Sequence, residues 1–201
     1  IIVISESTKQ QLLNYIKCDP NKIKVIHCNV SDDFIFFPKS FNSERPRILH
    51  IGTGDNKNLK MHIQAIKNIT CDLIIIGKLS DEDIHNLKNN NISYESHTNL
   101  SSKQIIEQYV YCDLLLFAST YEGFGMPIIE AQKVGRPVVT SDLLSMPEVS
   151  GDGAILVDPF NVESIRSGVK MIIDNKNIRD KLIKEGIENS KKFNSKDISS
   201  K

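Results

Sequence analysis

The sequence contains no Cys-x-x-Cys pair. Its four cysteines, Cys18, Cys28, Cys71 and Cys112, are far apart, and three lie within or beside apolar strand-like runs. They read as small buried thiols in a reducing compartment, which excludes a disulfide-stapled scaffold. The five histidines, His27, His50, His62, His85 and His97, include no i, i+4 pair and have no cysteine pair nearby, which argues against zinc. No run of eighteen apolar residues occurs and no signal peptide is visible, so a cytoplasmic location is expected. An excess of charge is missing too. Lys+Arg and Asp+Glu both number 25, a formal net charge of +0 that gives no general attraction to nucleic acid or to an anionic membrane. No Gly-x-Ser-x-Gly elbow is present to support a serine hydrolase.

What the sequence does have is concentrated in residues 118–141. The apolar run Leu114-Leu115-Leu116-Phe117 reads as a strand buried on both faces. A turn containing Gly123 and Gly125 follows, and Pro127 then fits the first position of a helix. Glycines let a ligand approach the backbone, and a helix N-terminus presents unpaired N–H groups and partial positive charge, so an anion is the favoured ligand. Glu122 and Glu130 flank the turn and would repel a phosphate placed directly on them. Their natural partners are neutral donors such as sugar hydroxyls. A tight strand-to-helix connection with a solvated Glu122 and a dipole-complementing Glu130 is the plainer alternative. Against it, the apolar face built from Ile128, Ala131 and Val134 leaves Glu130 beside a buried seam, where an unpartnered acid is costly.

The string EGFGMPIIE, followed by A-x-x-x-G-x-P-V, resembles the signature of family 4 retaining glycosyltransferases of the GT-B fold. The resemblance implies contact between Glu122 and the hydroxyls of a donor sugar. For Glu130 it implies hydrogen bonds to the ribose of a nucleotide. It places the backbone around Gly123, Phe124, Gly125 and Met126 at the diphosphate.

The chain opens on Ile1-Ile2-Val3-Ile4 without an initiator methionine, and a fragment of a longer protein is expected. Residues 1–45 read as a remnant of an N-terminal domain, strand, helix and strand, followed by a polar linker expected to be poorly anchored. Ser7 to Gln10 is taken as the capping box of that helix. Residues 46–189 alternate strands and helices as in a Rossmann-like, doubly wound parallel sheet of about six strands, the C-terminal half of a GT-B fold. The strands are expected at 47–51, 72–76, 92–96, 113–117, 137–140 and 154–157. Ser80-Asp81-Glu82-Asp83 and Ser101-Ser102-Lys103-Gln104 read as capping boxes, and 145–149 replaces a full crossover helix. Residues 190–201 are polar and lysine-rich and read as a frayed tail.

In such a sheet, ligands bind beyond the carboxyl ends of the strands where strand order reverses. The loop there reads Gly52-Thr53-Gly54-Asp55-Asn56-Lys57-Asn58. A lysine in a first helical turn opposes the macrodipole by roughly 0.3–1 kcal/mol, and a diphosphate would offset that. A solvated surface lysine is the alternative reading. Related sequences carry a lysine in this loop, which makes Lys57 a candidate for stabilising the departing phosphate. Many also place an arginine where this chain has Thr53, so the usual basic pair is incomplete and Lys60 is only an unsupported substitute. Gly77-Lys78 matches a position beside the nucleotide base, and Ser119, Thr120 and Tyr121 add hydroxyls near Glu122. Asp81-Glu82-Asp83 fits the DxD pattern that holds a cation in other glycosyltransferases, but the capping reading is preferred and no metal is assigned.

The expected function is therefore transfer of a sugar from a nucleoside-diphosphate sugar with retention, without a cofactor or metal. This chain would be the donor-binding part and inactive by itself. A glycan, lipid-linked or protein acceptor would bind mainly to the missing N-terminal domain, through which attachment to the cytoplasmic face of a membrane stays open. A nucleotide-sugar epimerase of GT-B fold and a non-catalytic nucleotide-binding module are the alternatives.

Overall fold

The computed structural model describes residues 1–194. Two short parallel strands, β1 (Ile2–Val3) and β2 (Lys24–Val25), are joined by helix α1 (Glu6–Tyr15). The main body follows as β3 (Arg47–Ile51), α2 (Leu59–Ile66), β4 (Asp72–Ile76), α3 (Asp81–Asn89), β5 (Ser93–His97), α4 (Ser102–Tyr111), β6 (Leu114–Phe117), α5 (Met126–Val134), β7 (Val138–Ser141), α6 (Met146–Ser150), β8 (Ala154–Val157), α7 (Val162–Asp174) and α8 (Lys176–Ser190). The six strands β3 to β8 form one parallel sheet in the order β5-β4-β3-β6-β7-β8. This is the Rossmann-like doubly wound sheet expected from the sequence.

The strands are apolar runs because both faces are covered. Ile48, Leu114 and Leu116 point toward a layer containing Leu59 and Ile63 of α2, Leu87 of α3 and Ile165, Val169 and Ile172 of α7. Leu49, Leu115 and Phe117 point to the opposite layer, with Tyr109 of α4, Ile128 and Ile129 of α5, and Met146 of α6. Order reverses between β3 and β6, which pair directly through Ile48 with Leu114 and Leu49 with Leu115. The loops following those two strands therefore open side by side.

Several boundaries differ from expectation. Strand β5 starts and ends one residue later, β6 starts one residue later, and β7 is shifted by one, shifts that leave the buried faces unchanged. The cap of α1 is Ser5, whose side chain accepts from the Thr8 N–H, so the box placed at Ser7 is incorrect. A distant contact decides this, because Ser5 Oγ also donates to the Gly123 carbonyl at 2.9 Å. Both remaining capping boxes are present, at Ser80 with Asp83 and at Ser101 with Gln104.

The linker is firmly anchored, contrary to the sequence reading. Val30 and Phe34 are buried in the second layer, and Asp113, 2% exposed, accepts from the Asn42 N–H, the Arg47 N–H and the Lys39 ammonium. Arg136 is almost fully buried and donates to five carbonyls, those of Phe37, Tyr109, Val110, Val134 and Gly135. The first residues of the expected tail pack onto the body. Ser190 ends α8, and Phe193, 3% exposed, packs against Phe124 and His27; the rest of that tail, 195–201, lies outside the described residues.

Arg136 therefore serves as a cross-link between linker and sheet. Replacing it with Met keeps its reach but leaves buried carbonyls unpaired, and should lower the unfolding free energy by about 3 kcal/mol or more. Urea denaturation measures this, and a loss under about 0.5 kcal/mol would show that the linker is held without it.

Candidate functional site

The loop after β3 is shaped by one glycine and two asparagines. Gly52 has φ +89°, and a Cβ there would lie 2.8 Å from Lys57 Cγ, so the lysine stem crosses the bare backbone. A 3-10 turn over Asp55–Lys57 ends at Asn58, whose φ of 63° starts α2. Lys57 closes that turn rather than lying within the first turn of α2, which corrects the expected position. Its ammonium sits 4.9 Å from the centre of the Phe117 ring and 2.6 Å from Glu122 Oε1. With side chains 23% and 13% exposed, this ion pair is largely withdrawn from solvent.

Asparagines tie the two loops together. Asn56 Nδ2 donates to the Tyr121 carbonyl at 2.9 Å, and the Thr120 N–H donates to the Asn56 carbonyl at 2.8 Å. Asn58 Nδ2 donates to the carbonyls of Ala118 and Pro159. From the sequence, Asn58 stood out only as the neighbour of Lys57 in the loop motif, and Asn56 did not stand out at all. The only signal available was their density in the string DNKN, next to a predicted lysine.

The glycine turn is held by its carbonyls. Ser145 Oγ donates to Glu122 O and Phe124 O, both at 3.0 Å, and the Ser5 and Thr8 hydroxyls donate to Gly123 O. Gly125, at φ +100°, precedes α5 and provides no side-chain cap, while Met126 rather than Pro127 begins the helix. The N–H groups at this helix start are thereby presented to an external acceptor. One turn further, Glu130 Oε2 accepts from the Tyr109 hydroxyl at 2.5 Å. Burial raises the Glu130 pKa and this hydrogen bond opposes the rise; burial and the adjacent carboxylate push the Tyr109 phenol well above its usual range. The proton accordingly stays on the phenol.

Other predicted residues fall elsewhere. Thr53 Oγ1 donates to the Lys78 carbonyl at 2.7 Å, and its methyl lies where a Cβ on Gly77 would be, so Thr53 and Gly77 lock the two loops to each other. Lys78 lies with Thr53, Lys60 and Glu82 along a groove of about 390 Å³ between α2 and α3. Lys60 is drawn to Glu82 at 3.5 Å. Ser119 is fully buried, and its hydroxyl has no hydrogen-bond partner among the described residues.

Beneath the site lies a histidine pair that spacing alone did not reveal. His50 and His62 are both fully buried, their Nδ1 atoms 2.9 Å apart. His50 Nε2 is 2.7 Å from Gly52 O and His62 Nε2 is 3.4 Å from Ala118 O. Two neutral rings carry two hydrogens for three contacts. Gly52 O and the Nδ1 contact take them, and Ala118 O already accepts from Asn58. Burial lowers the pKa of His50 to about 4, and burial together with His50 lowers that of His62 well below the usual value.

Comparison with known proteins was consistent with this architecture. The family model described as "Glycosyl transferases group 1" matches residues 31–189. An O-antigen chain mannosyltransferase B of Escherichia coli is 35% identical over 85 residues, 42% of this chain and 22% of that protein. An uncharacterized glycosyltransferase of Methanocaldococcus jannaschii is 27% identical over 199 residues, 96% of this chain and 55% of its own length. The chain thus spans about half or less of these curated relatives. Among solved structures, a sucrose-phosphate synthase from Thermosynechococcus elongatus superposes with a TM-score of 0.84 at 19% identity, covering 99% of this chain and 55% of that one. At that identity the likeness speaks to fold.

The histidine pair makes stability depend on pH. Its folded-state pKa values lie below the unfolded value of 6.5, so its contribution is complete above pH 6.5 and is lost as pH falls toward 4. From His50 alone, unfolding free energy should drop by roughly 2 kcal/mol between pH 7.5 and pH 5.0. Denaturant titration at both pH values tests this, and a double variant, His50→Leu with His62→Leu, should have a flatter dependence. An equal slope in wild type and variant would contradict the assignment.

Proposed function

The chain belongs to the group 1 glycosyltransferases, and from that premise we propose that it is the donor-binding part of a retaining, metal-independent enzyme using a nucleoside-diphosphate sugar. The observation that carries this reading is the Lys57–Glu122 ion pair, set at the strand-order reversal beside the open N-terminus of α5. Positive charge from Lys57 and from the helix start would meet the diphosphate. Glu122 would accept from donor-sugar hydroxyls, and Glu130 from the ribose. The bond between the anomeric carbon and the β-phosphate oxygen breaks with its electrons leaving on the diphosphate. An acceptor hydroxyl oxygen bonds to the anomeric carbon on the face the phosphate leaves, and its proton passes to an oxygen of the departing diphosphate.

In this reading the ion pair has a preparatory role. It fixes Lys57 partly desolvated before the donor arrives, and a fixed charge stabilises a developing anion without having to reorganise. Positive charge from Lys57 and from the helix start would offset part of the diphosphate charge, with Thr53 standing where many related sequences carry a second basic residue. Gly52 completes the donor side, and Thr53 and Gly77 act through the loop lock, while Lys78 lines the α2–α3 groove and the Ser119 hydroxyl is buried behind the site. The Escherichia coli relative is named a mannosyltransferase, so a mannosyl donor is the first sugar to test. The acceptor, a glycan, lipid-linked or protein group, would be held mainly by residues outside this chain, and a membrane-face location would come through them.

Titration calorimetry of the chain with UDP, GDP and ADP should show binding of one nucleoside diphosphate. Lys57→Ala should weaken it at least tenfold, about 1.4 kcal/mol. Glu122→Gln should change the diphosphate affinity much less while abolishing the extra affinity of the matching nucleoside-diphosphate sugar. An unchanged Kd for Lys57→Ala would overturn the proposal, as would measurable sugar transfer to an added acceptor by this chain alone.

A further inference from the structure

Glu130 has one hydrogen-bond partner among the described residues, and it is a fully buried one. Tyr109 lies on α4, and its hydroxyl reaches Glu130 Oε2 on α5 at 2.5 Å. One neighbour holds the ring and two hold the residue's backbone carbonyl. Phe34 of the linker meets it edge-on, with centroids 5.5 Å apart and planes at 79°. Arg136, ahead of β7, donates through Nε to the Tyr109 carbonyl at 3.1 Å, and the Cys112 thiol donates to the same carbonyl at 3.3 Å. A side chain this enclosed has no low-energy alternative rotamer, so its hydroxyl is a fixed point.

We propose that Tyr109 is a positioning residue that sets ribose selectivity by holding one Glu130 oxygen, so that the other faces the 2′- and 3′-hydroxyls of a bound nucleotide. The proposal rests on the reading above that Glu130 meets the ribose. Two properties of the arrangement support it. An ionised carboxylate only accepts, which suits the two hydroxyl donors of a ribose. The Tyr109 hydroxyl, itself a donor, occupies one oxygen, fixes the turn of the carboxylate and opposes the rise in its pKa that burial causes. Remove the hydroxyl, and Glu130 stays in place but loses both its orientation and the hydrogen bond that favours its charged form. Affinity for the phosphates would be little affected, because among the described residues the Tyr109 hydroxyl bonds only Glu130 and neither the loop of Lys57 nor the turn at Gly125. The selectivity for ribose over 2′-deoxyribose should fall.

The experiment is calorimetric titration of the wild-type chain, Tyr109→Phe, Phe34→Leu and Glu130→Gln with GDP and 2′-deoxy-GDP, and in parallel with UDP and 2′-deoxy-UDP. The wild type should prefer the ribonucleotide about tenfold or more, and Glu130→Gln should bring the ratio to within about twofold. Tyr109→Phe should lower the ratio at least threefold while the Kd of the deoxynucleotide stays within about twofold. Phe34→Leu, which frees the ring without touching the hydroxyl, should lower the ratio by a smaller factor and keeps the test available if Tyr109→Phe does not fold. A wild-type ratio in Glu130→Gln, or no binding of either nucleotide by the wild type, would overturn the ribose reading and this proposal with it. A collapsed ratio in Glu130→Gln with a wild-type ratio in Tyr109→Phe would overturn the role of Tyr109 alone, as would equal weakening of both nucleotides.

Discussion

The site depends on one partly desolvated ion pair, Lys57 with Glu122, placed across the point where the sheet reverses its strand order. Such a pair is not a source of stability, since withdrawing both charges from water consumes most of the attraction between them. It has to be held by its surroundings. Gly52 provides the bare backbone that the lysine stem crosses, Phe117 lies beneath the ammonium, and Asn56 and Asn58 bind the neighbouring loop by its carbonyls. Underneath, the His50–His62 pair holds the Gly52 carbonyl from below and ties β3 to α2, while Asn58 holds the carbonyl of Ala118. A neutral pair does this without adding positive charge below Lys57.

The second half of the site is electrostatically simpler. Each carbonyl from Glu122 to Phe124 is bound by a serine hydroxyl, with Thr8 also reaching Gly123. Fixing carbonyls from behind orients the N–H groups ahead of α5 toward the open side. Two of these hydroxyls, from Ser5 and Thr8, come from the N-terminal segment, and Glu148 of α6 in turn accepts from the Glu6 N–H and from His27. The β1–α1–β2 unit is therefore joined to the glycine turn itself and not only to the linker. Movement of that unit would be felt directly at Gly123.

Much of the sheet was legible because its strands are buried on both faces and appear as unbroken apolar runs; β3, β4 and β8 lie where the sequence places them. Ser80 and Ser101 were legible as caps because both partners of each box lie within four residues. The misreadings share a different cause, contacts between residues distant in sequence. Ser5 is the cap of α1 because Gly123 receives its hydroxyl. The linker looked loose because Arg136, Asp113 and Tyr109, which hold it, lie far along the chain, and Phe193 looked like part of a tail because Phe124 is not its neighbour in sequence. At the site, the lysine and the two acids were visible from the motif. Tyr109 and the histidine pair were not, since an aromatic or histidine in an apolar stretch reads as ordinary core.

The central claim is that an anion enters between the Lys57 loop and the start of α5. Amide chemical-shift mapping of the isotopically labelled chain during titration with a nucleoside diphosphate tests it most directly. The account predicts the largest shifts at Gly52, Lys57 and Asn58 and at Phe124, Gly125 and Met126, with smaller ones near Glu130. Shifts confined to the groove between α2 and α3, around Lys60 and Asp83, with the Gly125 amide unmoved, would contradict it.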